Sequence, residues 1–272
     1  MKIISIINLK GGVGKTAVVT NAAFALANFW GAKVLVIDND KQGNASLFFG
    51  GDPKKASLAN LLLGEATAKE CIQSTRYTSE WFVQRRREQR KAVRFHDARI
   101  DVIVSDMGLM FVNYEKLREQ ESAQDDILKK ALSDVADDYD VCLIDNPPDI
   151  NISVLNALVA SESVIIVSTP DAYSVQGVYE MVGMIDKEVR PLNSALRLDG
   201  VLINKFVASA NGNAYVQEME QKLHVFRQRI RLTRDKTDES TRLRKSIYEF
   251  SPQCGFAADL GAFLEAYTEG RA

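Results

Sequence analysis

The sequence predicts an α/β fold: a single doubly wound domain, with a mainly parallel sheet and helices on both faces. Short continuous apolar runs occur at 3–7, 34–37, 141–144 and 164–167, with a shorter one at 200–203. Strands buried on both faces of a parallel sheet read this way, whereas half-exposed strands alternate. Each run is followed by a polar or glycine-containing turn, and most then by a helical pattern, which is the rhythm of strand–helix–strand units. The chain has 272 residues, 46% hydrophobic and 26% charged, enough to bury a core without disulfides or a metal staple. No long linker, internal repeat or low-complexity tract divides it, so one domain is expected to span 1–272.

In chain order, helices are expected at 15–29, 57–63, 122–136, 152–160, 174–189, 212–222 and 256–267. Asp171 to Ser174 offer an N-cap signal for the fifth of these, and Pro191 marks its end. Residues 76–99 fit the pattern least. Their stretch 85–94 holds six basic residues against one acid and lies between a helix and an apparent strand at 100–104. A basic surface insertion, hairpin or short helix, is expected there.

Composition narrows the function classes. Lys plus Arg total 34 and Asp plus Glu 36, for a net charge of −2. This excludes a uniformly basic nucleic-acid coat but leaves room for a local basic patch, since the local field decides binding. Cys71, Cys142 and Cys254 are widely spaced, no CxxC pair exists, and only His96 and His224 are available to join them. A reducing compartment and no structural zinc are expected. The apolar start is too short for a signal peptide, and no run approaches the roughly 18 apolar residues of a spanning helix. A cytoplasmic protein is expected.

The apolar run 3–7 leads into Lys10-Gly11-Gly12-Val13-Gly14-Lys15-Thr16 and then a helical stretch beginning at Ala17. The general phosphate-loop pattern is GxxxxGK[ST]; Leu9 occupies its first glycine position, leaving the variant KGGxGKT. Three glycines let backbone N–H groups close around phosphate oxygens, and the helix N-terminus adds a positive dipole end. Lys15 is placed to reach the β- and γ-phosphates and Thr16 to ligate Mg²⁺. Asp38 and Asp40 follow the second strand, and Asp145 ends the third, before Asn146-Pro147-Pro148. Ligands in open α/β sheets bind at such carboxyl ends, and an acid there can hold Mg²⁺.

Lys10, five positions before Lys15, carries a resemblance to the deviant Walker A family of P-loop ATPases, the ParA/MinD/nitrogenase-iron-protein class. More of the chain resembles its ParA/Soj branch. Asp38 to Ser46 is similar to D-x-D-P-Q-G-N-A-[ST], with Lys41 in place of proline. The strand ending in Asp145 resembles the Walker B strand, with Asn146 as a departure. Residues 58–72, Tyr173 to Gly177, Leu202 to Phe206 and Ile247 to Pro252 fit further stretches of the pattern, while 230–234 resembles the IPRN loop without its proline.

The resemblance implies ATP and Mg²⁺ as ligands, with Gly11, Gly12, Val13, Gly14, Lys15, Thr16 and Ala17 around the phosphates and Asn204 near adenine. It implies that Lys10 reaches a partner protomer's phosphates in a nucleotide-sandwich homodimer. It assigns Asp40 to the attacking water, and Thr16, Asp38 and Asp145 to the metal shell. It implies a short, Soj-like DNA-partitioning ATPase without an N-terminal helix-turn-helix domain, released from DNA when a centromere-binding ParB-like partner stimulates hydrolysis. Such a protein is nucleoid-associated. A ParA-like ATPase that positions a non-DNA cargo or aids conjugative transfer is the alternative. A MinD-like membrane role needs a basic amphipathic C-terminal helix, and 257–272 is mildly acidic.

Nine basic residues and three acids lie between 222 and 245. The resemblance makes Arg227, Arg229, Arg231, Arg234, Arg242, Arg244 and Lys245 candidate contacts to duplex DNA, since non-specific binding needs clustered cations and no base contacts.

Overall fold

The computed structural model describes residues 1–92, 96–118 and 125–272, with backbone only at 114–118 and 234. Arg94 and part of the expected helix 122–136 therefore lie outside the described residues.

Among the described residues seven strands form one sheet: β1 (Lys2–Ile7), β2 (Lys33–Asp38), β3 (Ile72–Ser74), β4 (Arg99–Ile103), β5 (Val141–Asp145), β6 (Ser163–Ser168) and β7 (Arg197–Ile203). Their order is β3-β4-β2-β5-β1-β6-β7. Every pairing is parallel except β3 with β4. Register places Asp38 opposite Asp145, and Ile6 opposite Asp145 on the other side. The carboxyl ends of β1, β2 and β5 thus stop at one level, which gathers the expected loop and acids.

The thirteen described α-helices are α1 (Lys15–Trp30), α2 (Asn44–Phe49), α3 (Leu58–Leu63), α4 (Ala68–Cys71), α5 (Ser79–Glu88), α6 (Gly108–Arg118), α7 (Ile127–Ser133), α8 (Ile152–Ala160), α9 (Ala172–Met184), α10 (Ala210–Glu220), α11 (Arg234–Arg242), α12 (Ile247–Phe250) and α13 (Gly255–Thr268). Alternate strand residues face opposite sides. Ile4, Val34, Ile100, Leu143 and Ile165 pack with α1, α5, α12 and α13. Leu35, Ile37, Cys142 and Ile144 pack with α3, α6, α7 and α8, and Ile7, Ile166 and Ile203 with α8, α9 and α10. Helices therefore cover both faces, as expected.

α1 is apolar nearly all round, with every residue from Val18 to Ala27 buried. Such a helix needs cover on every side. The sheet lies under it, α13 beside it, and α5 and α12 close its remaining flank. At that flank Phe24 meets Tyr77 at 5.3 Å, Trp81 at 6.0 Å, Phe82 at 5.9 Å and Tyr248 at 6.2 Å between ring centroids. The expected surface insertion is thus anchored: Tyr77 and Phe82 are buried, while Gln84, Arg87, Glu88, Arg90 and Lys91 face outward.

Candidate functional site

The loop between β1 and α1 is held open by its neighbours. Asn8, buried at the end of β1, donates from Nδ2 to the Val167 carbonyl at 2.8 Å and accepts the Lys10 N–H at 2.8 Å. Gly12 and Gly14 have φ of 76° and 93°, a region that only glycine enters at little cost. A Cβ on Gly14 would also sit 2.3 Å from Asn204 Nδ2. That amide donates to the Val13 carbonyl at 2.8 Å, and Lys205 Nζ to the Gly12 carbonyl at 2.6 Å. The end of β7 thus braces the crest of the loop. Asn204 was expected near adenine; its bracing of the loop was not read from the sequence. Lys205 was missed, although its place beside Asn204 was a usable signal.

Lys15 opens α1 and is 7% exposed. Its ammonium donates to the Asn8 carbonyl at 3.1 Å and the Lys10 carbonyl at 3.4 Å. Burial lowers its pKa, against the opposing charges of Asp145, Asp40 and Asp149. Asp145 is 1% exposed, and neither of its oxygens accepts a well-formed hydrogen bond among the described residues. Burial, with Asp38 alongside, pushes its carboxyl up to about 8, against the pull of the Thr16 hydroxyl and the Lys15 ammonium. A buried, unsatisfied carboxylate beside a threonine hydroxyl is a set of hard oxygen donors, which fits Mg²⁺.

Asp38 is placed differently. Its Oδ2 accepts from Ser46 N at 2.6 Å and Ser46 Oγ at 2.7 Å, and its Oδ1 from Asp40 N at 3.1 Å. Burial raises its pKa to about 6 although these bonds pull the other way. It ties the end of β2 to α2. Asp40 lines the cleft and accepts the Gln42 N–H at 3.0 Å. Asn146, the departure from the expected motif, accepts from Asn39 Nδ2 at 2.9 Å, joining the two carboxylate loops behind the site.

Lys10 turns away from its own phosphate loop. Its ammonium lies 2.7 and 2.8 Å from the Asp171 oxygens and 3.0 Å from Ser174 Oγ. Partial burial works against the Asp171 carboxylate, but donors from Lys10, Thr169 and Ser174 outweigh it and hold its pKa at about 2. Asp171 was read from the sequence only as the cap of α9, which it is. Its second role has no sequence signal.

The glycines of the loop, Lys15, Thr16, Asp40, Asn204 and Lys205 line a cleft of about 380 Å³ that also includes Pro148, Arg231, Thr237, Asp238 and Thr241. A family model described as an AAA domain matches residues 1–198. A ParA family protein of Chlamydia muridarum is 30% identical over 225 residues, 82% of this chain and 79% of that protein. The chain belongs to the ParA family. It is a P-loop ATPase of the ParA/MinD type. The sporulation initiation inhibitor protein Soj of Bacillus subtilis is 29% identical over 231 residues, 84% of this chain and 81% of Soj. The fold is that of the septum site-determining protein MinD of Pyrococcus horikoshii, solved with Mg-ADP. Its TM-score is 0.72 at 22% identity, covering 100% of this chain and 98% of MinD.

In this ParA-type chain the expected basic patch is divided. Arg231 makes two bonds to Asp259, at 2.7 and 2.8 Å, beside the cleft. Arg229 is paired with Glu220 and packed over the Phe206 ring. Arg227 is exposed on the β7 side. The Arg234 side chain lies outside the described residues. Arg242, Arg244 and Lys245 are exposed at the far end of α11, where Arg242 pairs with Glu239 at 2.9 Å.

Proposed function

We propose that this chain is an ATP-dependent DNA-partitioning ATPase that works as a nucleotide-sandwich homodimer. The observation that carries this reading is the division of labour between two lysines: Lys15 is buried in its own loop, while the Lys10 ammonium is turned away from that loop and held by Asp171. A lysine that is not committed to its own phosphate loop supports a role at a partner's.

In this reading the N–H groups of Gly11 to Thr16 and the Lys15 ammonium cradle the phosphates, and Asn204 meets the base. Thr16 and Asp145, with Asp38 behind them, would hold magnesium, which would supply positive charge against the phosphates. Asp40 orients the attacking water. Lys10 leaves Asp171 on dimer formation and adds positive charge to the partner's transferring phosphoryl, like a finger supplied in trans. The dimer binds duplex DNA through phosphate contacts, doubling the cationic surface of one protomer. A centromere-bound ParB-like partner completes the site and triggers release, which places the protein on the nucleoid.

Light scattering with Mg²⁺ and a non-hydrolysable ATP analogue tests the dimer: twice the monomer mass with the analogue, and monomer mass with ADP, is the expected result. Monomer mass in every nucleotide state would remove the trans role of Lys10.

A further inference from the structure

The described part of the first basic run, 85–91, and the run 242–245 are about 150 residues apart in sequence, yet they share one flank of the molecule. Arg76, just before α5, reaches the Arg244 carbonyl and pairs with Glu249 of α12. Tyr77 donates to the same carboxylate. Phe24 of α1 lies beneath this flank: the Arg85 guanidinium is 5.9 Å from that ring and 5.2 Å from Trp81, and Tyr248 of α12, three residues beyond the second run, stacks on the same ring. Arg86 bonds the Asn28 carbonyl of the same helix. The inner arginines of α5 are therefore fixtures. Arg87, Arg90 and Lys91 are exposed, and no ion pair engages them among the described residues.

A second observation links the two runs. Just past α5, Arg90 has φ 53°, and Lys91 N–H returns to the Arg86 carbonyl at 2.9 Å. The end of α11 repeats this: Arg244 has φ 51°, and Lys245 N–H returns to the Ser240 carbonyl at 2.9 Å. A left-handed helix cap normally holds glycine, because other residues are strained there. At both places an Arg-Lys pair occupies it. The helix dipole favours cations at these ends, but a lysine or arginine one turn earlier serves that purpose without the left-handed strain.

We infer that α5 supplies a second row of phosphate contacts, Arg87, Arg90 and Lys91, continuous with Arg242, Arg244 and Lys245 in one face for duplex DNA. This rests on the DNA-binding reading above. A membrane surface fits less well, because the outward residues of α5 include none of the exposed large apolar side chains that an interfacial helix buries.

The test uses the full chain with Mg²⁺ and a non-hydrolysable ATP analogue, titrated with a random-sequence duplex over a salt series. Three proteins are compared: wild type, the α5 variant Arg87→Gln/Arg90→Gln/Lys91→Gln, and the α11 variant Arg242→Gln/Arg244→Gln/Lys245→Gln. The log–log salt slope of the α5 variant should fall by about 2 to 3 per bound protomer, with nucleotide affinity and dimer mass unchanged. Arg90→Gly should raise the melting temperature yet weaken DNA binding, a pairing that a purely structural arginine would not give. If the α5 variant binds like wild type while the α11 variant does not, the α5 face is refuted and the DNA reading stands. If wild type ignores DNA in every nucleotide state, both fall. Binding to phosphatidylserine vesicles, lost in the α5 variant, with duplex DNA ignored, would overturn the proposal in favour of a membrane.

Discussion

At the scale of single residues, Lys10 and Asp145 are both poised by what surrounds them. Lys10 is held by an ion pair about a third exposed on each side, and such pairs contribute at most about 1 kcal/mol. Asp171→Asn is therefore expected to raise the dimer fraction at limiting ATP by up to about fivefold, read by light scattering. Lys10→Ala should retain most ATP binding and lower turnover by about a thousandfold, the scale of a finger supplied in trans; phosphate release at saturating ATP measures it. For Asp145 the folded pKa of about 8 stands above its ordinary 3.8. The folded chain thus holds a proton that the unfolded chain has released. The associated stability is full below about pH 4 and is lost as pH rises through about 8. The melting temperature of the nucleotide- and metal-free protein should fall over that window, and Asp145→Asn should flatten the fall. The phosphate loop and the strand-end acids were legible because their spacing is local. The partner of Lys10 was not, because Asp171 is 161 residues away.

At the scale of elements, β1, β2, β5, β6 and β7 were legible as continuous apolar runs, since both of their faces are covered. β3 was not: it has three residues and pairs antiparallel at the sheet edge. α2, α4, α6, α11 and α12 were missed as well. α11 is so polar that its sequence reads as loop, and its position over the cleft comes from tertiary packing. α5 was half legible, because its arginines obscured the aromatic residues that bury its other face. Phe82→Ala should cost about 3–5 kcal/mol by leaving a cavity against Phe24, measured by denaturant unfolding. Gly14→Ala meets both a φ of 93° and the Asn204 amide. It should abolish nucleotide binding, as a titration with labelled nucleotide would report, while the core, which it does not touch, remains folded.

For the whole molecule, strand order turns scattered sequence signals into one site. β1, β2 and β5 end together, β7 braces the loop from the side, and α11 roofs the cleft. Because α11 both lines that cleft and carries Arg242 at its exposed end, nucleotide occupancy and the basic face belong to one structural unit. In the proposed function, ATP turns DNA binding on by making the dimer. The most direct test is affinity for random-sequence duplex DNA with no nucleotide, ADP, ATP and a non-hydrolysable analogue, across a salt series. Salt-sensitive binding that appears only with ATP or the analogue is the expected result; equal binding in all four states, or none in any, would contradict it.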